Sequence, residues 1–362
     1  MIYVFTPAEK NGGILQFSVT FTSELQKIHD CKLFVPDTVA PELLKTISEN
    51  YNTYHKIKTF NTYNRNIKSF CKKIADGSPE HVIFLEDSVL MQQMCFWLSK
   101  EHIPVSMVVH DTVHHPSNSM TFRQKAVDFM RRRMTLGTTK TADNIILLSE
   151  NSKNEFHTQN KNCKAALRVM RLGAHVPPAS PVKPAELADS NYKYALFFGR
   201  IDKYKGIGDL CRAYSSIKPE HQNHMKLIIG GGGAFSEEEQ QLIRENDNII
   251  AINRFIEDGE MLWLIEHSEV VALPYIEATQ SGVLPIAYHF GKPAIIRNLP
   301  GLTENAVLGK TAAAFDTADE LSALLSETAS GKLLFSTQEI KDFYEKNMNW
   351  HNNVKELMEK IL

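Results

Sequence analysis

Short apolar runs alternate along the whole chain with segments whose apolar residues recur every three or four positions. Runs such as Ile2–Phe5, Val105–Val109 and Val270–Leu273 are continuous rather than alternating. Continuous apolar runs are typical of parallel strands, because the connecting helices cover such a sheet on both faces. The pattern therefore predicts an α/β chain with parallel sheets and helices on both sides of each.

The predicted strands fall into two groups, one in each half of the 362 residues. One hydrophobic core rarely grows beyond about 250–300 residues, so two domains are expected. Residues 175–193, "HVPPASPVKPAELADSNYK", hold four prolines and few large apolar side chains, which is typical of a linker. The predicted strands are Ile2–Phe5, Lys32–Val35, His81–Leu85, Val105–Val109, Asn144–Leu148 and Leu167–Leu172, then Tyr194–Phe198, Met225–Ile229, Ile249–Asn253, Val270–Leu273 and Ala294–Ile296.

Helical patterns lie between these strands and at the C-terminus. The last stretch, Gln338–Leu362, has helical spacing, and Asn349–His351 is expected to break it into two helices. The other predicted helices include Gln16–His29, Ser88–Glu101, Gly208–Ser216, Ser236–Glu245 and Asp258–His267.

Charge is divided unevenly between the halves. Residues 1–180 hold 22 Lys and Arg against 16 Asp and Glu, a balance of +6, and the remainder has a balance of −8. A basic and an acidic half indicate different partners. No apolar run approaches the roughly 18 residues that span a bilayer. The N-terminus lacks the pattern of a secretory signal, and the five cysteines are scattered, so we expect a cytoplasmic protein with reduced thiols.

The second half opens with "YALFFGRIDKYKGIGDL", in which a predicted strand ends at Gly199-Arg200 and a helix follows. Arg200 and Lys205 are therefore expected at the carboxyl end of a strand, where open α/β sheets bind ligands. Two cations there suit a diphosphate, with Arg offering a planar fork and Lys a point charge. An ordinary solvated loop is the alternative.

Two further loops follow strands of the same predicted sheet. "KLIIGGGG", residues 226–233, permits close backbone approach, but it is neither a Walker A loop nor a dinucleotide fingerprint, and a flexible turn is the simpler interpretation. Arg254-Phe255-Ile256 ends another strand. Phe255 either contacts a nucleobase or belongs to the core.

The most informative stretch is "VALPYIEATQSGVLPIAYHFGKPAI", residues 271–295. A strand ends at Pro274, and a polar loop then leads into a predicted helix. Amides of a first helical turn and the positive end of the helix dipole favour a phosphate. The residues expected to contact a phosphate-bearing ligand are Thr279, Gln280, Ser281, Gly282 and Val283, with Glu277 placed to bind sugar hydroxyls.

"FFGRIDKYKG", "NRFI" and the 271–295 stretch together resemble the C-terminal domain of retaining GT-B glycosyltransferases, the glycogen synthase-like and mannosyltransferase-like family. The first half agrees. "FTPAEKNGGILQFSVTFTSEL" resembles that family's first strand and its glycine loop at Gly12-Gly13. "IPVSMVVHDTVHHP" resembles its strand ending at His110-Asp111, and "NIILLSENSKNEF" its Ser149-Glu150 segment. The ordered set covers nearly the whole chain.

The resemblance implies two Rossmann-like domains facing across a cleft. Their expected bounds are residues 1–178 for an acceptor-binding domain and 179–342 for a nucleotide-sugar-binding domain. The helix at 343–362 is expected to cross back onto the first domain. The chain departs from the family at both glutamates of its signature. Ile286 stands at the second, which in the family generally binds the ribose of the nucleotide, and Ala278 stands at the first, beside Glu277.

The implied reaction is transfer of a sugar from a nucleotide diphosphate sugar, most often UDP-linked, with retention of configuration. Arg200, Lys205 and the amides of Ser281–Val283 would stabilise the leaving diphosphate. The catalytic candidates are His110, which resembles the family histidine near the donor sugar, Glu277, which a one-residue loop shift would put in the role of the first glutamate, and the weaker Asp111. Gly13 would approach the donor. The sequence has no evident metal motif, so no cofactor or metal is expected.

The expected acceptor is a glycan or lipid-linked hydroxyl. Residues 54–74 and 121–134 mix basic and apolar side chains, which predicts contact with an anionic membrane, although a solvated helical face is an alternative. No nucleic-acid-binding motif is present. Two other functions stay open: a catalytically weakened subunit that binds nucleotide sugar or supports a partner transferase, and a different GT-B chemistry such as epimerisation or phosphorolysis.

Overall fold

The chain forms two compact units, each built on one parallel sheet. The computed structural model describes residues 1–9, 12–47, 51–55, 65–110, 137–187 and 192–362. One unit comprises Met1–Leu172 together with Trp350–Leu362, and the other comprises Gly173–Asn349. The predicted α/β class with two parallel sheets is confirmed. The predicted domain bounds were 178/179 and 342/343, whereas the two units divide at 172/173 and 349/350.

The first unit contains a seven-stranded sheet in the order β3-β2-β1-β4-β5-β6-β7, and every pair of neighbours is parallel. The strand order reverses between β1 and β4. The strands are β1 (Ile2–Phe5), β2 (Cys31–Pro36), β3 (Tyr51–Tyr54), β4 (His81–Phe84), β5 (Val105–Val109), β6 (Asn144–Leu147) and β7 (Ala166–Val169). The helices between them include α1 (Gly13–Gln26), α2 (Arg65–Asp76), α3 (Val89–Lys100) and α4 (Glu150–Gln159), with a 3₁₀ turn at Pro41–Ile47.

Serine side chains begin two of these helices. The Ser88 hydroxyl accepts a hydrogen bond from the Met91 amide at the start of α3. The buried Ser149 hydroxyl accepts from the Ser152 amide at 2.9 Å at the start of α4. Each bond satisfies an amide that has no partner within its helix. The Ser149-Glu150 segment therefore has a local structural role as a helix cap.

The second unit contains a six-stranded parallel sheet in the order β10-β9-β8-β11-β12-β13. Here the order reverses between β8 and β11. The strands are β8 (Lys193–Phe198), β9 (Met225–Gly230), β10 (Ile249–Ile252), β11 (Val270–Leu273), β12 (Ala294–Arg297) and β13 (Ala312–Phe315). The helices are α5 (Ile207–Ser215), α6 (Pro219–His224), α7 (Glu237–Glu245), α8 (Asp258–Glu266), α9 (Val283–His289), α10 (Pro300–Thr303), α11 (Ala318–Ala329) and α12 (Thr337–Asn347).

The C-terminal helix α13 (Trp350–Ile361) belongs to the first unit and completes one of its two apolar clusters. Trp350 packs edge-on against Phe17 of α1, with ring centroids 5.3 Å apart. Leu357 is 1% exposed in the same cluster. Phe343, which was expected in the helix that crosses back, lies in α12 of the second unit and contacts Tyr288. The chain therefore changes units at residue 350.

None of the helices in the described part of the chain is long and apolar enough to cross a membrane.

The helix α13 supplies a direct test of how the first unit is held together. Leu357→Ala should lower the free energy of unfolding by about 2–5 kcal/mol, because it removes a fully buried side chain and leaves a cavity. Leu362→Ala is the matched control, since Leu362 is 52% exposed and its loss should change stability by less than about 0.5 kcal/mol. Urea denaturation followed by circular dichroism measures both, and equal losses would contradict the assigned packing.

Candidate functional site

Four loops meet at one edge of the second sheet, because the strands that they follow are all parallel. β8 pairs with β9 on one side and β11 on the other, and the strand order reverses there. The crevice at such a reversal is where open α/β sheets bind ligands. Arg200 and Lys205 follow β8, the glycine run at 231–233 follows β9, Phe255 follows β10, and the 276–282 loop follows β11. The topology therefore brings these predicted residues to the same edge.

Arg200 presents an accessible positive charge at this edge. Its side chain is 69% exposed, and its Nε lies 3.7 Å from a carboxylate oxygen of Asp202. Its Nη2 donates a hydrogen bond to the Tyr204 hydroxyl at 3.3 Å. That hydrogen bond raises the pKa of Arg200 above its usual value. The guanidinium therefore stays charged and open to an incoming anion.

Lys205 is half-buried and stands on aromatic rings. Its Nζ lies 3.6 Å from the centroid of the Tyr275 ring and 4.9 Å from that of Tyr204. Burial, together with the charge of Arg200, lowers the pKa of Lys205 to about 8, and Asp202 acts in the opposite direction. Among the described residues no carboxylate forms an ion pair with this ammonium. A bound anion would supply the missing compensation.

The loops after β8 and β11 are joined through their backbones. The Ile276 amide donates to the Tyr204 carbonyl at 2.8 Å. Gly206 has φ of +68°, and a Cβ there would lie 2.0 Å from the Pro274 carbonyl oxygen. Only glycine tolerates both that backbone conformation and that approach. Arg297 donates from Nε to the Pro274 carbonyl at 3.3 Å. This bond, the Ile276 hydrogen bond and the close approach of Gly206 together hold the chain at the end of β11 in place.

The glycine run after β9 is a second backbone contact at this edge. Gly231 has φ of +151°, and a Cβ there would lie 1.9 Å from the carbonyl oxygen of Gly199. The Ile201 amide donates to the Gly232 carbonyl at 3.0 Å. The run therefore packs directly against the loop that carries Arg200.

Ser281 and Gly282 lie at the start of α9. Ser281 is 9% exposed, and its Oγ accepts a hydrogen bond from the Val283 amide at 3.3 Å. The same oxygen lies 3.4 Å from the Tyr275 hydroxyl. A Cβ on Gly282 would meet no atom of the described structure within 4 Å, so the space beside it is open. α9 has only seven residues, which limits the contribution of its dipole.

The 276–282 loop packs against Gly301, a residue that the sequence analysis did not single out. A Cβ on Gly301 would lie 2.3 Å from the Ala278 carbonyl oxygen and 2.6 Å from that of Thr279. Thr279 and Gln280 are half-buried, and Glu277 is exposed. The Pro300-Gly301 pair is a turn signal, but the sequence does not show that the β11 loop passes over it.

Ile286 points into the core of the second unit and is 7% exposed. It lies on the second turn of α9, beside the buried Ala287. No residue of α9 is acidic. The position that resembles the family's second glutamate therefore contributes an apolar contact, and no carboxylate of α9 replaces it.

Phe255 is 70% exposed, so its interpretation as a core residue is wrong. The adjacent Arg254 is held by Glu186 and Glu260, with shortest distances of 2.8 and 2.7 Å. Arg254 also donates to the Phe255 carbonyl at 3.1 Å. The anchored neighbour leaves the Phe255 ring at the surface, where it can contact a ligand.

The predicted residues of the first unit lie after β1 and β5. Nε2 of His110 donates to the Leu85 carbonyl at 2.8 Å, and its ring meets Phe17 of α1 edge-on at 4.8 Å. This bond places a proton on Nε2 and fixes the ring orientation. Gly13 begins α1, and a Cβ there would meet no described atom within 4 Å. Asp111 lies outside the described residues.

The described ranges contain no group of three His, Cys, Asp or Glu side chains that could hold a metal ion. Their five cysteines are free thiols, and four of them are buried. Burial raises the pKa of Cys31, Cys71, Cys95 and Cys211 to about 12. These four thiols are therefore protonated and unreactive near neutral pH.

One protein-family model matches a large part of the second unit. Residues 192–329 match the family model described as glycosyl transferases group 1. A comparison with curated protein sequences found no match.

Solved structures share the fold of nearly the whole chain. Anabaena Alr3699/HepE, crystallised with UDP, has a TM-score of 0.75 at 13% identity and covers 99% of this chain and 98% of its own. Sucrose-phosphate synthase from Thermosynechococcus elongatus has a TM-score of 0.72 at 15% identity, covering 99% and 98%. The lipopolysaccharide outer core galactosyltransferase WaaB has a TM-score of 0.71 at 16% identity and covers 100% of both chains. The chain therefore has the GT-B fold, and the match to the group 1 glycosyl transferase model lies within its second unit.

Proposed function

We propose that the protein is a retaining glycosyltransferase that moves a sugar from a nucleotide diphosphate sugar to a hydroxyl of a glycan or lipid-linked acceptor. The observation that carries this proposal is the pair Arg200 and Lys205, which lies within the group 1 match and at the strand reversal of its sheet. UDP is the favoured nucleotide, because Alr3699/HepE was crystallised with UDP and with UDP-glucose. A role in cell-surface polysaccharide or glycoconjugate synthesis is part of the proposal.

The leaving diphosphate gains negative charge as the glycosidic bond breaks. Arg200 offers an exposed fork of donors, and Lys205 is a cation with no ion-pair partner among the described residues. Preorganised positive charge at such a point lowers the barrier, because no solvent reorganisation is needed during the reaction. These two side chains would replace the metal ion that other transferases use, so we propose a metal-independent reaction.

The 276–282 loop and the first turn of α9 would contact the rest of the donor. The Ser281 hydroxyl and the amides of Gly282 and Val283 would bind a phosphate, and the open space at Gly282 admits a ligand. Glu277, Thr279 and Gln280 would bind sugar or ribose hydroxyls. The exposed ring of Phe255 would contact the nucleobase. These contacts are assigned to the donor because all lie at one sheet edge.

The first unit would supply the residues nearest the transferred sugar. His110 is oriented by its bond to Leu85 and would contact a sugar hydroxyl. Gly13 would allow the start of α1 to approach the donor, and Asp111 is the second polar candidate after β5. Attack from the leaving-group face lets the departing phosphate take the acceptor proton, so the proposed mechanism needs no protein nucleophile.

A catalytically weakened subunit is the second candidate function. The specific observation in its favour is the burial of Ile286, which leaves α9 without a carboxylate for ribose. Such a subunit would bind a nucleotide sugar or support a partner transferase. A turnover assay distinguishes the two, because only the transferase releases nucleoside diphosphate with each sugar transferred.

The first test is a thermal-shift screen with UDP, GDP, ADP and CMP, with Mg²⁺ or with a chelator. One diphosphate at about 100 times its Kd should stabilise the protein by about 2.7 kcal/mol, which corresponds to roughly 3–5 °C for a chain of this length. The shift should persist without metal and disappear in Arg200→Ala, measured against that variant's own unliganded melting temperature. A shift that requires Mg²⁺ would contradict metal-independent binding.

The second test uses Lys205→Met, which keeps the aliphatic stem. The pKa of Lys205 in the folded protein, about 8, lies below the usual lysine value of 10.5, so the unfolded chain binds more protons between those pH values. Wild-type stability should therefore rise with pH across this window, and the variant should lack that contribution. At pH 7 the variant should melt higher yet bind UDP about ten- to a hundred-fold more weakly, because a charge-assisted contact is lost. Equal pH dependence in both proteins would contradict the assignment.

We also propose that the first unit contacts an anionic membrane. Of the two basic stretches predicted to do so, residues 121–134 lie outside the described residues. In the other stretch α2 exposes Lys68, Lys72 and Lys73. Lys68 lies 5.1 Å from the centroid of the Trp97 ring on α3, beside Phe96, which is 43% exposed. Lysines next to partly exposed aromatic rings fit the surface of a bilayer.

Vesicle co-sedimentation tests this surface. Reversing Lys68 and Lys72 to Glu should weaken binding to vesicles that contain anionic lipid by about tenfold or more, because each nearby Lys contributes about 1 kcal/mol. The matched control reverses Lys218 and Lys310, which are exposed on the second unit. Equal losses in the two double variants, or equal wild-type binding to neutral vesicles, would rule out the proposed surface.

A further inference from the structure

Tyr275 contacts both parts of the candidate diphosphate site, the cationic loop after β8 and the polar loop that leads into α9. The residue directly follows Pro274 at the end of β11 and is 1% exposed. Its ring lies under the Lys205 ammonium, with Nζ 3.6 Å from the ring centroid. Its hydroxyl lies 3.4 Å from the Ser281 Oγ. One buried side chain therefore touches a residue after β8 and another at the start of α9.

The ring end compensates a half-buried charge. The charged and titratable groups that face Lys205 are Arg200 and Asp202 on its own loop and the phenols of Tyr204 and Tyr275. Asp202 lies 3.7 Å from Arg200, and burial raises the pKa of Tyr275 far above neutrality. The negative face of an aromatic ring attracts an ammonium, and it does so more strongly when water is excluded. Of the two rings beside this cation, that of Tyr275 is the nearer, at 3.6 Å against 4.9 Å for Tyr204.

The hydroxyl end controls the start of α9. A buried hydroxyl is costly unless it forms a hydrogen bond, and for Tyr275 the partner within reach is Ser281. Ser281 in turn accepts from the Val283 amide at 3.3 Å. Phenylalanine would fill the same space without this link. The tyrosine thus fixes the orientation of the hydroxyl that lies beside the first helical amides.

We propose that Tyr275 is a positioning residue for the diphosphate of the donor: its ring holds the Lys205 ammonium and its hydroxyl holds Ser281, so that both are in place before the ligand binds. This inference rests on the proposed function, since it assigns a role within the same site. Groups that are ordered in advance lose less conformational entropy on binding, so affinity rises without a new contact to the ligand. Tyr275 itself need not touch the donor.

Two variants separate the two ends of the side chain, and a third controls for stability. Tyr275→Phe removes the hydroxyl and keeps the ring, whereas Tyr275→Leu removes both. Tyr214→Phe is the matched control, because Tyr214 is fully buried in the same unit and its hydroxyl donates to the Met225 carbonyl at 2.7 Å. Met225 begins β9 and so lies at the opposite edge of the sheet. UDP affinity is measured for all four proteins by calorimetry from pH 6.5 to 9.5.

The expected results differ between the variants. Tyr275→Phe should bind UDP about 2- to 12-fold more weakly, the loss of one hydrogen bond, with an unchanged pH midpoint. Tyr275→Leu should bind UDP more weakly still. As the pH rises, its affinity should fall at a pH about half a unit or more below that of wild type, because the ammonium loses the ring beneath it. Tyr214→Phe should keep wild-type affinity. The ionisation of UDP affects all four proteins equally, because each is titrated with the same ligand, so it does not contribute to the differences between them.

Two outcomes overturn the proposal in distinguishable ways. If wild type binds UDP and both Tyr275 variants match Tyr214→Phe in affinity and pH midpoint, Tyr275 has no positioning role. If wild type binds no nucleoside diphosphate, the proposed function fails instead. The titration of Lys205, followed by NMR of the protein with ¹³C-methylated lysines, then decides the positioning role. An unchanged Lys205 midpoint in Tyr275→Leu rejects it, and a lower midpoint supports it.

Discussion

The parallel pairing of β8 with β11 is the constraint on which the candidate site depends. Ala195 pairs with Val270 and Leu196 with Val271, although the 71 residues 199–269 separate the end of β8 from the start of β11. The connections that follow β8 and β11 run to opposite sides of the sheet, so a crevice opens between the two loops. Every other feature of the site, from the cations to the glycine contacts, requires those two loops to be neighbours.

Backbone approach then determines how closely the loops lie. Gly206 lies so close to the Pro274 carbonyl that a side chain at position 206 would not fit. The same is true of Gly231 beside the Gly199 carbonyl. The Tyr204–Ile276 hydrogen bond closes the contact. Such a scaffold can hold like charges together, and Arg200 beside Lys205 lowers the pKa of the latter. The unliganded protein is thereby destabilised in the place where an anion would stabilise it, a relation common at functional sites.

The sequence predicted the parts of the fold that carry a strong apolar signal. All eleven predicted strands are present, as β1, β2 and β4 to β12, because each contains a short run rich in apolar residues, whereas β3 and β13 went unpredicted. β3, Tyr-Asn-Thr-Tyr, is an edge strand with two exposed residues, and β13 is Ala-Ala-Ala-Phe. Neither differs from a loop or a helix by periodicity alone. Similarly, no local pattern indicated that Phe255 would be exposed or that Gly301 would support the β11 loop.

The sequence by itself determined the α/β class, the division into two sheets and the placement of Arg200, Lys205 and Ser281 after strand ends, because these follow from local apolar patterns and chain order. Only the tertiary structure decided that Tyr275 lies between Lys205 and Ser281, and that α13 completes the first unit while α12 stays in the second. These features depend on contacts between residues far apart in sequence, and such contacts are fixed by how the sheets and helices pack together.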